Sequence, residues 1–207
     1  MPSVAMNRMM DRVRTNLPGA LDTTIQGELF QVVDDFCRQT NIWTQDFDFS
    51  IDPTTENWRT NPDAFLYQIV PPAGSVSHRL MGAWDGNAFK VNASMPQPDW
   101  VMFYNSPNTT GIYTVRAALT VIDPITRDGY PVIPDWIVGL HGDTLAQGVM
   151  GKMQLQVAKP YSSSELAMLH TQLFKQGIGH ARIATERTRA YNRQNWAFPQ
   201  SYAVRRF

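Results

Sequence analysis

Between Leu21 and Phe36 a set of apolar residues stands at Leu21, Ile25, Leu29, Val32, Val33 and Phe36, with Asp22, Gln26, Gln31, Asp34 and Asp35 among them. This is one stripe of an amphipathic helix, and such a stripe is stable only when buried against another element. Asn16 or Asp22 suits a cap at its start, Pro18 is tolerated in a first turn, and Thr40 and Asn41 end it. The next helical signals come only after Pro134. The two ends of the chain must therefore meet in space, with everything between them carried as an insertion.

The inserted stretch has a different period. Phe47, Phe49 and Ile51 alternate with Asp46, Asp48 and Ser50, as in a half-buried strand. Further strands are predicted over Phe65–Val70, Val76–Trp84, Phe89–Met95, Trp100–Tyr104 and Ile112–Val121, the last with Tyr113, Val115, Ala117, Leu119 and Val121 on one face. Turn signals separate them at Pro71–Gly74, Asp85–Asn87, Pro96–Pro98 and Ser106–Gly111. Short strands so spaced form a small antiparallel sandwich or barrel.

Helix returns at Ile133-Pro134-Asp135, an extended residue followed by the proline and acid of a first turn. Gly139, Gly142, Ala146, Gly148 and Gly151 crowd the stretch after it. Each internal glycine costs a helix about 1 kcal/mol relative to alanine, so this density points to close contact with a neighbouring helix or else to an irregular helix, the first being favoured. Lys159-Pro160 interrupts the chain, and Ser162 with Glu165 reads as a capping box. The helix it opens carries a stripe of Leu166, Leu169, Leu173, Gly177, His180 and Ala184, broadened by Phe174, Ile178 and Ala181. From Tyr191 to Phe207 the chain is aromatic and basic without helical period, an extended arm expected to order against another surface. The expected fold is α+β: residues 1–43 and 131–190 form a helical bundle, 44–130 an inserted β module, and 191–207 the arm.

The formal net charge is zero but unevenly placed. Residues 1–20 hold Arg8, Arg12 and Arg14 against Asp11, and residues 175–207 hold Lys175 and six arginines against Glu186, so the stretch between is acidic. A nucleic-acid-binding domain would present a basic face on its body; basic ends on an acidic body suit contacts with acidic protein grooves. Aromatic residues beside arginines anchor interfaces, which makes Arg193, Trp196, Phe198, Tyr202, Arg205, Arg206 and Phe207 the expected partner-binding residues. Only 17% of residues are charged, as expected of a surface that is largely uncharged or partly covered by partners.

The sequence points to no catalytic, cofactor-binding or metal-ligating set. His78, His141, His170 and His180 have no zinc-like spacing with one another or with the single cysteine, Cys37. His180, on the apolar stripe, reads as a core or interface histidine. Asp34 and Asp35 are helix neighbours that point apart, and Asp46 and Asp48 share the polar face of a strand, whereas acid–base pairs must face one another across a cleft. Gly-x-Ser-x-Gly and phosphate-loop motifs do not occur. Trp84 and Trp100 offer a sugar-stacking platform if exposed, the basis of a rival reading as a carbohydrate-binding β-sandwich, but core packing accounts for them more simply. Cys37 reads as a small buried hydrophobe, and a lone cysteine implies no internal disulfide and a reducing compartment. No apolar run is long enough to span a membrane, and Met1–Arg14 lacks the apolar centre of a signal peptide.

Asn16-Leu17-Pro18-Gly19-Ala20-Leu21-Asp22 with the helix up to Trp43, Ile133-Pro134-Asp135-Trp136, Lys159-Pro160-Tyr161-Ser162, Glu165-Leu166-Ala167, and then His170, Phe174, Gly177 and Ala181-Arg182 form a recurring pattern. In it the chain resembles the head–tail adaptors of tailed bacteriophages, called tail tubular protein A in short-tailed phages. The similarity runs through most of the chain in order and is weakest in the β insert. It implies a structural virion protein, not an enzyme, with no cofactor, found in the neck between capsid and tail after assembly in the host cytoplasm. Its implied partners are the portal protein, a tail nozzle or tube protein, and its own copies in a twelve-subunit ring through which double-stranded DNA passes without specific binding. The C-terminal arm would reach the portal or a neighbouring subunit. A tail-completion or stopper protein of the same neck is the nearest competing assignment.

Overall fold

A computed structural model describes residues 3–52, 66–104, 110–122 and 130–191. The elements run α1 (Val4–Asn16), α2 (Asp22–Thr40), β1 (Thr44–Ile51), β2 (Leu66–Gln68), β3 (Ser75–Trp84), β4 (Ala93–Gln97), β5 (Trp100–Phe103), β6 (Gly111–Val121), α3 (Asp135–Gln154) and α4 (Ser164–Tyr191). This is an α+β fold, with helices on either side of the strands in sequence.

Val4–Asn16 forms a helix that the sequence pattern does not single out. The Ser3 hydroxyl accepts from the Met6 amide to cap it, and Met6, Met9, Met10 and Val13 are buried at spacings of three and four. Gly19, at φ +83°, turns the chain into α2. Neither expected residue caps α2: Leu21 stands at the cap without a side-chain bond, while the Asp22 carboxylate is held by the Arg14 guanidinium at 2.9 Å. That pairing holds the Asp22 carboxyl below its usual range and ties the first two helices together. Thr40 is the last helical residue, and Asn41 ends the helix in the left-handed region, its N–H donating to the Cys37 carbonyl.

The strands form two three-stranded antiparallel sheets, ordered β1-β6-β3 and β2-β5-β4. The sheets meet face to face through Phe49, Tyr67, Phe103 and Tyr113, with ring centroids 5.5–6.3 Å apart in tilted and edge-on pairs. β4 runs through Pro96, so the turn falls at Pro98 and Asp99. On β6 all five residues of the expected inward face are buried, but they serve two cores. Tyr113, Val115 and Ala117 pack between the sheets, whereas Leu119 and Val121 join the core of the helices. Ala118 and Thr120 on the opposite face are buried as well. Thr120 lies against α2, its hydroxyl donating to Asp34 at 2.8 Å.

The helical core unites Ile25, Leu29, Val32, Val33 and Phe36 of α2 with Ile137, Leu145, Val149 and Met153 of α3 and with Phe174 and Ile178 of α4. The α2 stripe thus finds its partner more than a hundred residues downstream. Gly148 and Gly151 of α3, as expected, and Gly177 of α4 sit where a neighbouring helix comes close. A Cβ on Gly148 would stand 2.6 Å from Val32 and 2.9 Å from Phe174, one on Gly151 2.9 Å from the Thr171 hydroxyl, and one on Gly177 would collide with Thr144. Gly139 of α3 and Gly179 of α4 have open space around them, and a Cβ on Gly142 would make only ordinary contacts at 3.8–4.0 Å. Ser163 rather than Ser162 caps α4: its hydroxyl accepts from Leu166 N–H and its carbonyl from Ala167 N–H, while Ser162 closes a turn onto Lys159.

Candidate assembly surface

The face that α4 buries is not the one its leucines define. Ala167, Phe174, Ile178 and Ala181 line the seam, while Leu166, Leu169 and Leu173 are 45%, 49% and 38% exposed and His180 is exposed too. The cause lies on α3. Gly148 and Gly151 leave a trough on its surface, and the Phe174 ring and the Thr171 backbone settle into it. The helix is thereby rotated so that the leucines turn outward, a displacement set by residues twenty positions upstream.

Gln147 of α3 and His170 of α4 meet side chain to side chain and fix the register of the two helices on this flank. Leu166 lies one turn before His170 and Leu173 one turn after it. Leu140 lies two turns before Gln147 on α3, and Trp136 one turn further. Leu140 is 74% and Trp136 47% exposed. Five large apolar side chains thus follow one flank of the α3–α4 pair.

That flank continues onto α1. Arg12 pairs with Asp143 of α3, and Ala5, Arg8, Met9 and Arg12 face Val138, Gly139, Leu140 and Gly142 across a cleft of about 260 Å³. Burial, and then the nearby positive Arg12, lower the His170 pKa. The surface is apolar at its centre and charged at its rim, where Arg8 stands beside the Arg12–Asp143 pair, the composition of an interface. A groove of about 390 Å³ on the other flank of α4 is lined by Leu155, Ala167, Met168, Thr171, Gln172 and Lys175, with no acid–base pair.

The carboxylates singled out in the sequence are tied into pairs. Asp34 accepts from Arg38 and Thr120, Asp35 from Lys152, Asp46 from Nε and Nη2 of Arg116 at 2.6 Å, and Asp48 from the Thr114 hydroxyl. Among the described residues no three His, Cys, Asp or Glu side chains group as a metal site would require. Trp84 and Trp100 belong to neither core, contrary to expectation. The Trp84 ring lies against Gly82, where a Cβ would stand 2.6 Å from it, and the Arg116 guanidinium sits over the ring at 5.5 Å. A sugar would have to displace that cation to stack there. Cys37 is buried, as expected, and its thiol pKa is pushed up to about 12.

The expected partner-binding residues Arg193, Trp196, Phe198, Tyr202, Arg205, Arg206 and Phe207 lie outside the described residues. α4 itself runs to Tyr191, where the extended arm was expected to begin. Sequence reasoning missed Trp136 and Leu140. Their signal was present as two large apolar residues one turn apart, followed by Asp143 rather than by another apolar residue. No helix among the described residues is long and apolar enough to cross a membrane. No protein-family model and no curated protein matches the sequence.

Proposed function

We propose that this chain is a structural protein of a tailed-bacteriophage virion, a head–tail adaptor that forms a ring between the portal and the tail and lets genomic DNA pass. The observation that carries the reading is the exposed apolar flank of α3 and α4, formed by Trp136, Leu140, Leu166, Leu169 and Leu173. A chain with that much uncovered leucine is incomplete alone, and a ring of copies covers such a flank at every subunit. The resemblance of residues 16–43, 133–136 and 159–182 to such adaptors points the same way. In this reading the protein is not an enzyme and needs no cofactor.

The arm of residues 191–207 then engages the portal or a neighbouring subunit, its ordering entropy offset by burial of aromatic residues among Trp196, Phe198, Tyr202 and Phe207 and by ion pairs of Arg193, Arg205 and Arg206. Repetition around the ring turns a weak single contact into firm attachment. An acidic wall toward the channel lets DNA slide, because phosphates gain no counterion release there. The test is electron microscopy of the protein mixed with the portal ring of the same virion. Added annular density on the narrow end of the portal is expected, and loss of that density when residues 191–207 are deleted. Bare portals in the presence of excess full-length protein would overturn the reading.

A further inference from the structure

The two edges of the β1-β6-β3 sheet are not equivalent. The β3 edge is closed: the Ser77 N–H donates to Asp99, the Ala83 carbonyl accepts from Val91, and Trp84 pairs with Lys90. The β1 edge is open. The Trp43 carbonyl accepts from Leu119 N–H at 2.8 Å, so in the antiparallel register the odd-numbered residues bond β6. Thr44, Asp46, Asp48 and Ser50 therefore point their N–H and C=O groups outward, and nothing pairs with them among the described residues.

The charge on this edge restricts what can join it. Asp46 and Asp48 project from the solvent face beside those free groups. A second β1 laid against the first would bring carboxylates opposite carboxylates, a device that blocks self-pairing. A strand carrying arginines on that face and apolar residues on the other is favoured instead, because Phe47 and Phe49 stand half-buried on the inner face. Within this chain, Ser201-Tyr202-Ala203-Val204-Arg205 alternates in that way, with Tyr202 and Val204 on one face, Arg205 on the other and Arg206 closing its end, and residues 192–207 hold three arginines and no Asp or Glu. We propose that the free edge of β1 receives residues 201–206 of a second copy as an added strand, with Tyr202 and Val204 toward Phe47 and Phe49 and Arg205 toward Asp46 and Asp48. Donor and acceptor surfaces differ, so the contact is head-to-tail and propagates around a ring; the choice of a second copy rests on the ring reading above, whereas strand addition itself does not.

Backbone amide exchange of Thr44, Asp46, Asp48 and Ser50 in the full chain, followed at low and high protein concentration, tests this. Exchange is expected to slow about tenfold as concentration rises, and to stay fast in Ala203→Pro, which in an antiparallel addition removes a ladder donor, and in Arg205→Glu with Arg206→Glu. Protection that is independent of concentration in a molecule of monomeric mass would mean that the chain covers its own edge, and would overturn the proposal. So would an edge that exchanges freely at every concentration. If those amides stay open while annular density still forms on portals, strand addition fails and the adaptor reading stands. Concentration-dependent protection with bare portals would leave strand addition standing without the adaptor.

Discussion

Ser77 and Asp99 hold each other reciprocally. The Asp99 carboxylate accepts from both the Ser77 N–H, at 2.7 Å, and the Ser77 hydroxyl, at 2.8 Å, while that hydroxyl accepts from the Asp99 N–H. Asp99 sits at φ +62° in the β4–β5 turn, and Ser77 is fully buried in β3. One carboxylate therefore closes a sheet edge and clamps the two sheets together. Asp99→Ala strands a buried amide and a buried hydroxyl, and is expected to lower stability by about 2–3 kcal/mol. Asp99→Asn, which keeps an acceptor and tolerates the left-handed backbone, should be milder. Urea unfolding of the two variants checks the order; equal midpoints for Asp99→Ala and the native chain would refute the clamp.

A second prediction concerns acid. The β3 register slips between Ser77 and Arg79, leaving His78 as the extra residue of a bulge. Its side chain shares its surroundings with Asp34 and Arg38 of α2 and with Arg79, and its Nε2 is buried without a hydrogen-bond partner among the described residues. Burial first, and then the Arg38 charge, lower its pKa from 6.5 to about 4. The unfolded chain thus binds more protons in that interval, so the stability held by neutral His78 is complete above pH 6.5 and drains away as pH falls toward 4. His141 and His170, both lowered by burial, act with the same sign. The paired Asp22 loses its contribution only in stronger acid. The urea midpoint should fall between neutral pH and pH about 4.5, and fall less in His78→Gln.

The glycines give a test of opposite signs. At Gly139 and Gly179 nothing lies within 4 Å of an added Cβ, so alanine there should stabilise by up to about 1 kcal/mol through helix propensity alone. At Gly148 the new carbon meets Val32, which is fully buried, and the Phe174 ring. Gly148→Ala should therefore destabilise by about 1–3 kcal/mol despite the better propensity. Thermal melts that moved Gly139→Ala and Gly148→Ala in the same direction would contradict the packing described for α3.

The α2 stripe, the six strands and the insertion logic were legible because periodicity is a local signal that burial enforces. Tyr113 to Val121 alternates along β6 much as its buried inner face requires. α1 was overlooked because Arg8, Asp11, Arg12 and Arg14 dominate its composition, although Met6, Met9, Met10 and Val13 keep helical spacing. Which α4 face is buried could not be read from α4. Leucine outranks alanine in any hydrophobic pattern, yet Ala167 and Ala181 are buried and Leu169 is half exposed, since the trough over Gly148 and Gly151 accepts small residues and one ring. That choice belongs to a neighbouring helix, and a single-helix pattern does not contain it. The same rotation hid the candidate assembly surface, which spans three helices that only the fold brings together.

Cys37 offers a probe of opening. Its thiol is fully buried, and desolvation followed by the Asp34 charge pushes its pKa up to about 12, so the thiolate is scarce as well as shielded. A thiol-reactive aromatic disulfide should leave the native protein unmodified at neutral pH and titrate one thiol in urea. Labelling in the absence of denaturant, at the rate of an exposed cysteine, would show that α2 separates from its neighbours more readily than the packing allows.

The exposed leucines lead to the most direct test of assembly. Leu169 and Leu173 lie outside the α3–α4 seam, so replacing both by glutamate disturbs no buried contact, and the change in monomer stability should stay within about 1 kcal/mol. The same change places two carboxylates at the centre of the apolar flank, where a second subunit would have to desolvate them. Higher-order species in sedimentation velocity should therefore disappear in Leu169→Glu with Leu173→Glu, while the melting curve barely moves. Met168→Glu supplies the control: it is 67% exposed on the other flank of the same helix, beside Lys175, and should leave association unchanged. Loss of association in both variants would assign the contact to α4 as a whole. Loss in neither would remove the α3–α4 flank from the assembly altogether.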